Sequence, residues 1–130
     1  WQIARRYDLE NKLPDGIAIQ WETVGPGIQK NPLGEKIITP YLFNVWDIAA
    51  RRYYSPRETF DFARGINMPH VPIACRGDAF QPSEDELRAM AEGVYPNGKQ
   101  REGIVIRPEV ETRVGNDRLS FKIINLLYGG

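Results

Sequence analysis

The sequence is poor in cysteine and histidine and carries no excess of charge. Among 130 residues there is one cysteine, Cys75, and one histidine, His70. An internal disulfide and a cysteine-built zinc site are therefore excluded. Seventeen basic residues balance seventeen acidic ones, so no global charge draws the chain to nucleic acid or a membrane. Neither a signal peptide nor a membrane span is visible, and a polyanionic partner would need a local basic patch.

The composition is that of one globular domain. With 42% hydrophobic and 26% charged residues, a chain of this length has enough apolar material for a single core. The lone cysteine is typical of a reducing compartment, so we expect a cytoplasmic protein with no membrane contact. Because the first residue is Trp1 and not methionine, we also expect residues 1–130 to be a portion of a longer domain.

Apolar periodicity and capping residues predict interleaved strands and helices, which is an α+β fold. Ser55-Pro56-Arg57-Glu58 is typical of a helix start, with a capping serine, a proline at the first position and a glutamate at the third. The predicted elements are a helix ending at Leu13, strands over 16–24 and 41–48, helices over 56–64 and 83–93, an extended stretch over 70–75, and strands over 102–108 and 119–124. A turn is predicted at 115–117.

The last two predicted strands carry the strongest functional signal. The first, EGIVIRP, runs from Glu102 to Pro108, and the second, LSFKII, runs from Leu119 to Ile124. Each sets one charged residue, Glu102 or Lys122, against β-branched and aromatic residues. A charge on a buried strand is costly unless it has a partner or faces a cleft. We therefore predict that these strands are adjacent and form a site for a phosphate and a metal.

Four patterns together resemble a known family. They are IAIQWETVGPGIQKNPLG from Ile17, FNVWDI from Phe43, EGIVIRP, and SFKIIN from Ser120, in this order. This combination resembles the nucleotidyltransferase domain of ATP-dependent RNA ligases, especially the branch of the Deinococcus RNA ligase and, more distantly, RNA ligase 2 of phage T4. The resemblance implies a nucleotidyltransferase (ATP-grasp-like) fold with antiparallel strands, flanking helices and an ATP cleft between sheets. Residues 1–130 would be its C-terminal portion.

The resemblance also implies roles for individual residues. Glu22 matches a glutamate that contacts the ribose or supports metal binding. Trp46 matches the aromatic residue on which adenine stacks, and Phe43 takes that role if the register differs. Glu102 matches the glutamate tied to catalysis and to Mg²⁺ or Mn²⁺, for which carboxylate oxygens are suitable ligands. Lys122 matches the lysine that contacts the α-phosphate of ATP.

Structural alternatives stand beside these roles. The structural alternative for Glu22 is an exposed residue at a strand end, and for Phe43 and Trp46 it is a core aromatic. The motif favours function for Trp46, whereas composition alone favours the core for Phe43. Glu102 and Lys122 would form an ion pair if their strands place them together. The family usually has glycine where this chain has Trp21, so we expect that indole to crowd the ribose site.

Three arginines are candidates for contact with RNA. Arg51 and Arg52 precede two tyrosines, a combination suited to a nucleic-acid backbone and a stacked base, although it is also typical of a solvated loop. Arg107 suits a phosphate or the cover of a strand end. The expected partners are ATP and RNA or an RNA-containing nicked duplex, and we expect a monomer.

The nucleophile of the family is absent from the sequence. Those ligases use a lysine in a Lys-x-Asp-Gly motif, and the nearest match, Lys12-Leu13-Pro14-Asp15-Gly16, has an extra residue and a proline. We interpret it as a helix end and turn. The expected function is therefore RNA end joining through a lysyl-AMP intermediate, with this chain inactive by itself. The alternatives are a non-catalytic nucleotide- or RNA-end-binding module and a β-rich structural domain.

Overall fold

Three antiparallel strands form the largest sheet, in the order β1–β2–β3. The computed structural model describes residues 1–27, 31, 33–75, 77 and 81–128. Strand β1 spans Ile17–Val24, β2 spans Thr39–Asp47 and β3 spans Arg52–Tyr53. Strand β1 pairs with β2 along its whole length. The predicted strands over 16–24 and 41–48 are confirmed, with β2 beginning two residues earlier than predicted.

Two short helices replace the single helix predicted before Leu13. Helix α1 spans Gln2–Arg6 and α2 spans Leu9–Lys12. Between them Asp8 adopts a left-handed conformation with φ of 53°, which interrupts the helical backbone. Helix α2 ends at Lys12 and β1 begins five residues later, so the interpretation of this segment as a helix end and turn is confirmed.

The two capped helices form where the sequence predicts them. Helix α3 spans Pro56–Gly65 and α4 spans Glu84–Ala91. At the start of α3 the Glu58 amide donates to Ser55 Oγ at 3.2 Å, and the Ser55 amide donates to Glu58 Oε1 at 3.0 Å. This reciprocal capping box satisfies two amides that the helix leaves without partners.

The last two predicted strands form a separate two-stranded sheet. Strand β4, Gly103–Ile106, pairs antiparallel with β7, Phe121–Ile124. The connection contains a small hairpin that the sequence did not predict beyond its turn, formed by β5, Arg113–Val114, and β6, Asp117–Arg118. The expectation that β4 and β7 are buried is wrong, since Val105 and Ile124 are 54% and 62% exposed.

The core lies on one face of the β1–β2–β3 sheet. Leu42 and Val45 of β2 and Ala63 of α3 are completely buried there. The other members of this core cluster are Ile3, Leu9, Ile66 and Met68. Helices α1, α2 and α3 thus cover one face of the sheet, and the apolar alternation of β1 and β2 determines which face is covered.

The stretch predicted as extended over 70–75 contains one bridge and no strand. His70 makes a parallel bridge to Leu42, and residues 71–75 belong to neither a helix nor a strand. The loop predicted over 28–34 lies partly outside the described residues. Among the described residues, no helix has the length and hydropathy that crossing a membrane requires.

Candidate functional site

Strand β1 presents a second face on the side away from the core. Ile17, Ile19 and Trp21 pack against the core cluster. Because side chains alternate along a strand, Gln20 and Glu22 lie on the opposite face, which we call the cleft face. The expectation that Trp21 crowds a ligand beside Glu22 is therefore wrong, because the indole lies on the other side of the sheet.

A bulge in β2 brings an additional aromatic residue to the cleft face. The β1–β2 register shifts at Gln20, and Phe43 is the residue of β2 without a partner in β1, which is the arrangement of a β-bulge. Leu42 and Val45 both point into the core, so the two residues between them, Phe43 and Asn44, lie on the cleft side. Neither Phe43 nor Trp46 is a member of the core cluster or packs against it. The interpretation of these rings as core aromatics is therefore wrong.

A cavity of about 600 Å³ opens on the cleft face beside Trp46. The Tyr53 ring packs edge-on against the Trp46 ring, with centroids 4.8 Å apart and planes at 67°. The β5–β6 hairpin forms the other wall. The lining residues are Ala18, Gln20, Asn44, Trp46, Tyr53, Arg113, Asn116, Asp117 and Arg118. The volume is within the range of small-molecule sites, and aromatic, amide and charged side chains together suit a flat ligand with polar edges.

Arg118 is the main residue of this cavity that the sequence did not indicate. Its side chain is 11% exposed and its Nη2 lies 2.8 Å from Glu111 Oε1, whose side chain is 10% exposed. Its guanidinium also lies over the Tyr53 ring at 4.2 Å from the centroid. Arg118 Nε is buried and has no hydrogen-bond partner. Nothing local distinguishes Arg118 from the other arginines, so no sequence signal would have identified it.

Asn44 joins the hairpin and the second sheet to the cleft face. Its Oδ1 accepts hydrogen bonds from Arg118 Nη1 and Arg107 Nη1, both at 2.9 Å. Its Nδ2 donates to Gln20 Oε1 at 2.8 Å. Arg107 also donates to the Phe43 carbonyl at 3.2 Å. Burial lowers the pKa of Arg107, and the neighbouring charge of Arg118 lowers it further. The hydrogen bonds of Arg107 to Phe43 and Asn44 tie the end of β4 to β2.

The two candidate arginines before β3 have different surroundings. Arg52 donates to both carboxylate oxygens of Glu58, at 3.0 and 3.1 Å, and this hydrogen bonding helps to lower the pKa of Glu58 to about 2. Arg51 is exposed, and its carbonyl accepts a hydrogen bond from Arg113. Arg52 is therefore committed to the start of α3, while the Arg51 side chain faces solvent.

The charges of Glu22 and Glu102 both affect the pKa of one tyrosine, Tyr95. Burial raises the pKa of Tyr95, and the charges of Glu22 and Glu102 both raise it further. The two carboxylates therefore lie within electrostatic reach of one phenol, although they are 80 residues apart in the sequence. Tyr95 begins a tight turn in which its amide donates to the Lys99 carbonyl at 2.8 Å.

Lys122 is placed differently from Glu102. It lies opposite Val105 in the β4–β7 ladder and is exposed. Glu102 precedes β4, and its carbonyl accepts a hydrogen bond from the amide of Asn125, just beyond the other end of β7. The two charges are thus three residue pairs apart, roughly 10 Å along the strands, and the ladder does not set them opposite each other as an ion pair would require.

A metal ion beside Glu22 and Glu102 would need ligands in addition to the side chains that the structure describes there. Within the described ranges, no group of three or more His, Cys, Asp or Glu side chains is arranged to hold one. Glu22 and Glu102 would offer at most two carboxylates. Magnesium-type ions are commonly held in that way, with phosphate oxygens and water completing the coordination.

Comparisons with known proteins identify the family and agree with the fold. The family model for RNA ligase matches residues 1–124. A Naegleria gruberi RNA ligase mutant solved with ATP and Mn has 29% identity and a TM-score of 0.76, covering 95% of this chain and 38% of its own. A second such mutant has 28% identity and a TM-score of 0.79, covering 98% and 39%. The same ligase with PPi has 29% identity and a TM-score of 0.75, covering 95% and 37%.

The extent of these matches differs between the chain and its relatives. Nearly all of this chain is matched, but the chain spans only about 38% of the length of the Naegleria ligase in the first of these structures. A search of curated proteins finds no match. Since the family model covers 124 of 130 residues and the fold agrees with that of solved members, the chain belongs to the RNA ligase family.

Proposed function

We propose that this chain forms the nucleotide-binding part of an ATP-dependent RNA ligase and binds ATP with a divalent metal on the cleft face. The observation that carries the proposal is the shared location of the Trp46 cavity and Glu22 on one face of one sheet. The ATP and Mn complexes of the Naegleria ligase support the choice of ligand. The activity that we propose for the ligase is RNA end joining, and its proposed role is RNA repair.

The adenosine moiety fits the Trp46 cavity and the strand beside it. Gln20 lines the cavity and precedes Glu22 by two residues on the same face, about 7 Å along the strand. Adenine stacked on Trp46 would therefore direct its ribose toward Glu22, whose carboxylate accepts hydrogen bonds from ribose hydroxyls. Base–aromatic stacking contributes roughly 1–3 kcal/mol.

The phosphates of ATP would extend toward the second sheet. Glu102 would hold Mg²⁺ or Mn²⁺ with Glu22 nearby, and Lys122 would contact the α-phosphate. A divalent ion bound there neutralises phosphate charge. The exposed position of Lys122 leaves its ammonium accessible to a phosphate, and a flexible lysine is well suited to such a contact.

The reaction expected of the family is nucleotidyl transfer in three steps. A lysine nitrogen attacks the α-phosphorus of ATP, and pyrophosphate leaves. AMP then passes from the lysine to the 5′-phosphate of RNA, and attack by a 3′-hydroxyl forms the phosphodiester and releases AMP. Since the 130 residues contain no Lys-x-Asp-Gly, we propose that polypeptide outside them supplies the nucleophile. The RNA backbone would contact Arg51, the solvent-facing member of the arginine pair.

ATP titration of the chain in the presence of Mn²⁺ tests nucleotide binding. Trp46→Ala should weaken binding by about 5- to 150-fold, the equivalent of the stacking energy. Trp1→Ala removes an indole that is 95% exposed and should leave the affinity unchanged. If Phe43→Ala weakens binding and Trp46→Ala does not, adenine stacks at the bulge. If neither variant changes the affinity, the cleft face does not bind the base.

Labelled ATP tests the origin of the nucleophile. The chain alone should acquire no label, whereas a polypeptide that joins it to a Lys-x-Asp-Gly segment of the family should form lysyl-AMP. In that polypeptide Glu102→Ala and Lys122→Ala should each abolish labelling, and labelling at the unsubstituted rate would contradict the role of that residue. ATP binding without labelling in the joined polypeptide would instead favour a non-catalytic nucleotide- or RNA-end-binding module.

A further inference from the structure

Asn125 is a buried polar residue at the edge of the proposed metal site. It is 2% exposed and follows β7 directly. Its amide donates to the Glu102 carbonyl at 2.8 Å, and its Nδ2 donates to the Arg101 carbonyl at 2.7 Å. Its Oδ1 accepts a hydrogen bond from the Leu127 amide at 2.9 Å. The side-chain amide is therefore held at both ends, which fixes its orientation.

The two carbonyls that Asn125 binds lie on either side of the Glu102 α-carbon. The Arg101 carbonyl belongs to the peptide that precedes Glu102, and the Glu102 carbonyl belongs to the peptide that follows it. Fixing both peptide planes restricts the backbone dihedral angles of Glu102, and these determine the direction of its side chain. Asn125, the residue that follows β7, thus restricts the direction in which the Glu102 side chain leaves the backbone.

The neighbouring glycine brings the two strands together at this point. A Cβ at Gly103 would overlap the carbonyl oxygen of Ile123, so only glycine allows this approach. Because Asn125 lies two residues beyond Ile123, its side chain reaches the Arg101 carbonyl. The EG pair of one motif and the IIN end of the other are therefore parts of one arrangement.

From these contacts we propose that Asn125 is a positioning residue that orients Glu102 for metal binding. The proposal rests on the proposed function, in which Glu102 holds the divalent ion. Residues behind metal ligands commonly alter metal affinity by about 10- to 100-fold when they are replaced. Without Asn125 the backbone of Glu102 is free to rotate, and its carboxylate is no longer held in one orientation for the metal. The base site at Trp46 does not depend on the orientation of Glu102.

The experiment measures three affinities of the intact chain: adenosine without metal, ATP without Mn²⁺, and ATP with Mn²⁺. The ratio of the two ATP affinities is the Mn²⁺ effect. Glu102→Gln should abolish the Mn²⁺ effect, and Asn125→Ala should reduce it by about 10-fold or more, both with unchanged adenosine affinity. Asn125→Asp keeps the acceptor for Leu127 but loses the donor to Arg101, and should behave like Asn125→Ala.

Thr59→Val is the matched control. Thr59 is also a buried polar residue, 3% exposed, whose Oγ1 donates to the Ser55 carbonyl at 2.8 Å, but it lies in α3. The Mn²⁺ effect of Thr59→Val should equal that of the unsubstituted chain.

Each result separates the two proposals. If Glu102→Gln abolishes the Mn²⁺ effect and the Asn125 variants retain it, the positioning role is wrong and the metal site stands. If Glu102→Gln leaves the effect unchanged, the metal assignment is wrong and the positioning role falls with it. Loss of adenosine binding in both Asn125 variants would assign Asn125 to the fold alone and would overturn the inference.

Discussion

The buried pair between Arg118 and Glu111 gives the sharpest prediction about stability. Both side chains are about nine-tenths buried and their charged atoms are 2.8 Å apart. Removing one partner of such a pair leaves an uncompensated buried charge, at a cost of about 3–5 kcal/mol. Arg118→Ala should therefore lower the free energy of unfolding by that amount, a large part of the total stability of an ordinary domain.

Urea denaturation measures this effect directly. With a denaturant slope of about 2 kcal/mol per molar, a loss of about 4 kcal/mol lowers the urea midpoint by roughly 2 M. Arg88→Ala is the matched control, because Arg88 pairs with Glu84 at 2.6 Å but the two side chains are 66% and 78% exposed. Exposed pairs contribute about 1 kcal/mol or less, so the urea midpoint of Arg88→Ala should differ little from that of the unsubstituted chain.

A double variant distinguishes the charge from the packing. Arg118→Met with Glu111→Leu replaces both ions with apolar side chains, and buried pairs replaced in this way often lose little or no stability. The double variant should therefore be more stable than Arg118→Ala. A loss below about 1 kcal/mol for Arg118→Ala would refute the reasoning, because it would mean that Glu111 does not need a buried partner.

Two further predictions concern the helix start and the second sheet. Arg52 and the Ser55 amide lower the pKa of Glu58 from 4.5 to about 2 in the folded state. Glu58 therefore stabilises the fold above pH 4.5, and this contribution is lost as the pH falls from 4.5 to 2. The difference in melting temperature between the chain and Glu58→Gln should shrink over that interval, and a constant difference would contradict it. Gly103→Ala should separate β4 from β7, because its Cβ would overlap the Ile123 carbonyl. Faster amide hydrogen exchange at Ile104 and Ile123 should report the separation, and unchanged exchange would contradict it.

The capped helices were predictable because their signals are local. The Ser55 capping box uses residues three apart, and the sequence contains every group that its hydrogen bonds need. The strands β1 and β2 were predictable for a similar reason, since alternation over eight or nine residues identifies a half-buried strand.

The errors have a common physical cause. The burial of β4 and β7 was inferred from their apolar residues, but burial depends on what covers a strand, and Val105 and Ile124 are exposed. Trp21 was expected beside the ligand because it adjoins Glu22 in the sequence. In a strand, however, adjacent residues face opposite sides of the sheet.

The sequence by itself determined the family, the order of the longer strands and helices, and the residue types suited to nucleotide and metal, because these depend on local patterns and on motif order. Only the tertiary structure decided which of these residues share a face. The bulge brings Phe43 to the cleft face, the β5–β6 hairpin carries Arg118 to Tyr53, and Asn125 reaches the backbone around Glu102. Such contacts join residues distant in the chain, and their geometry depends on strand register and packing that no local pattern specifies.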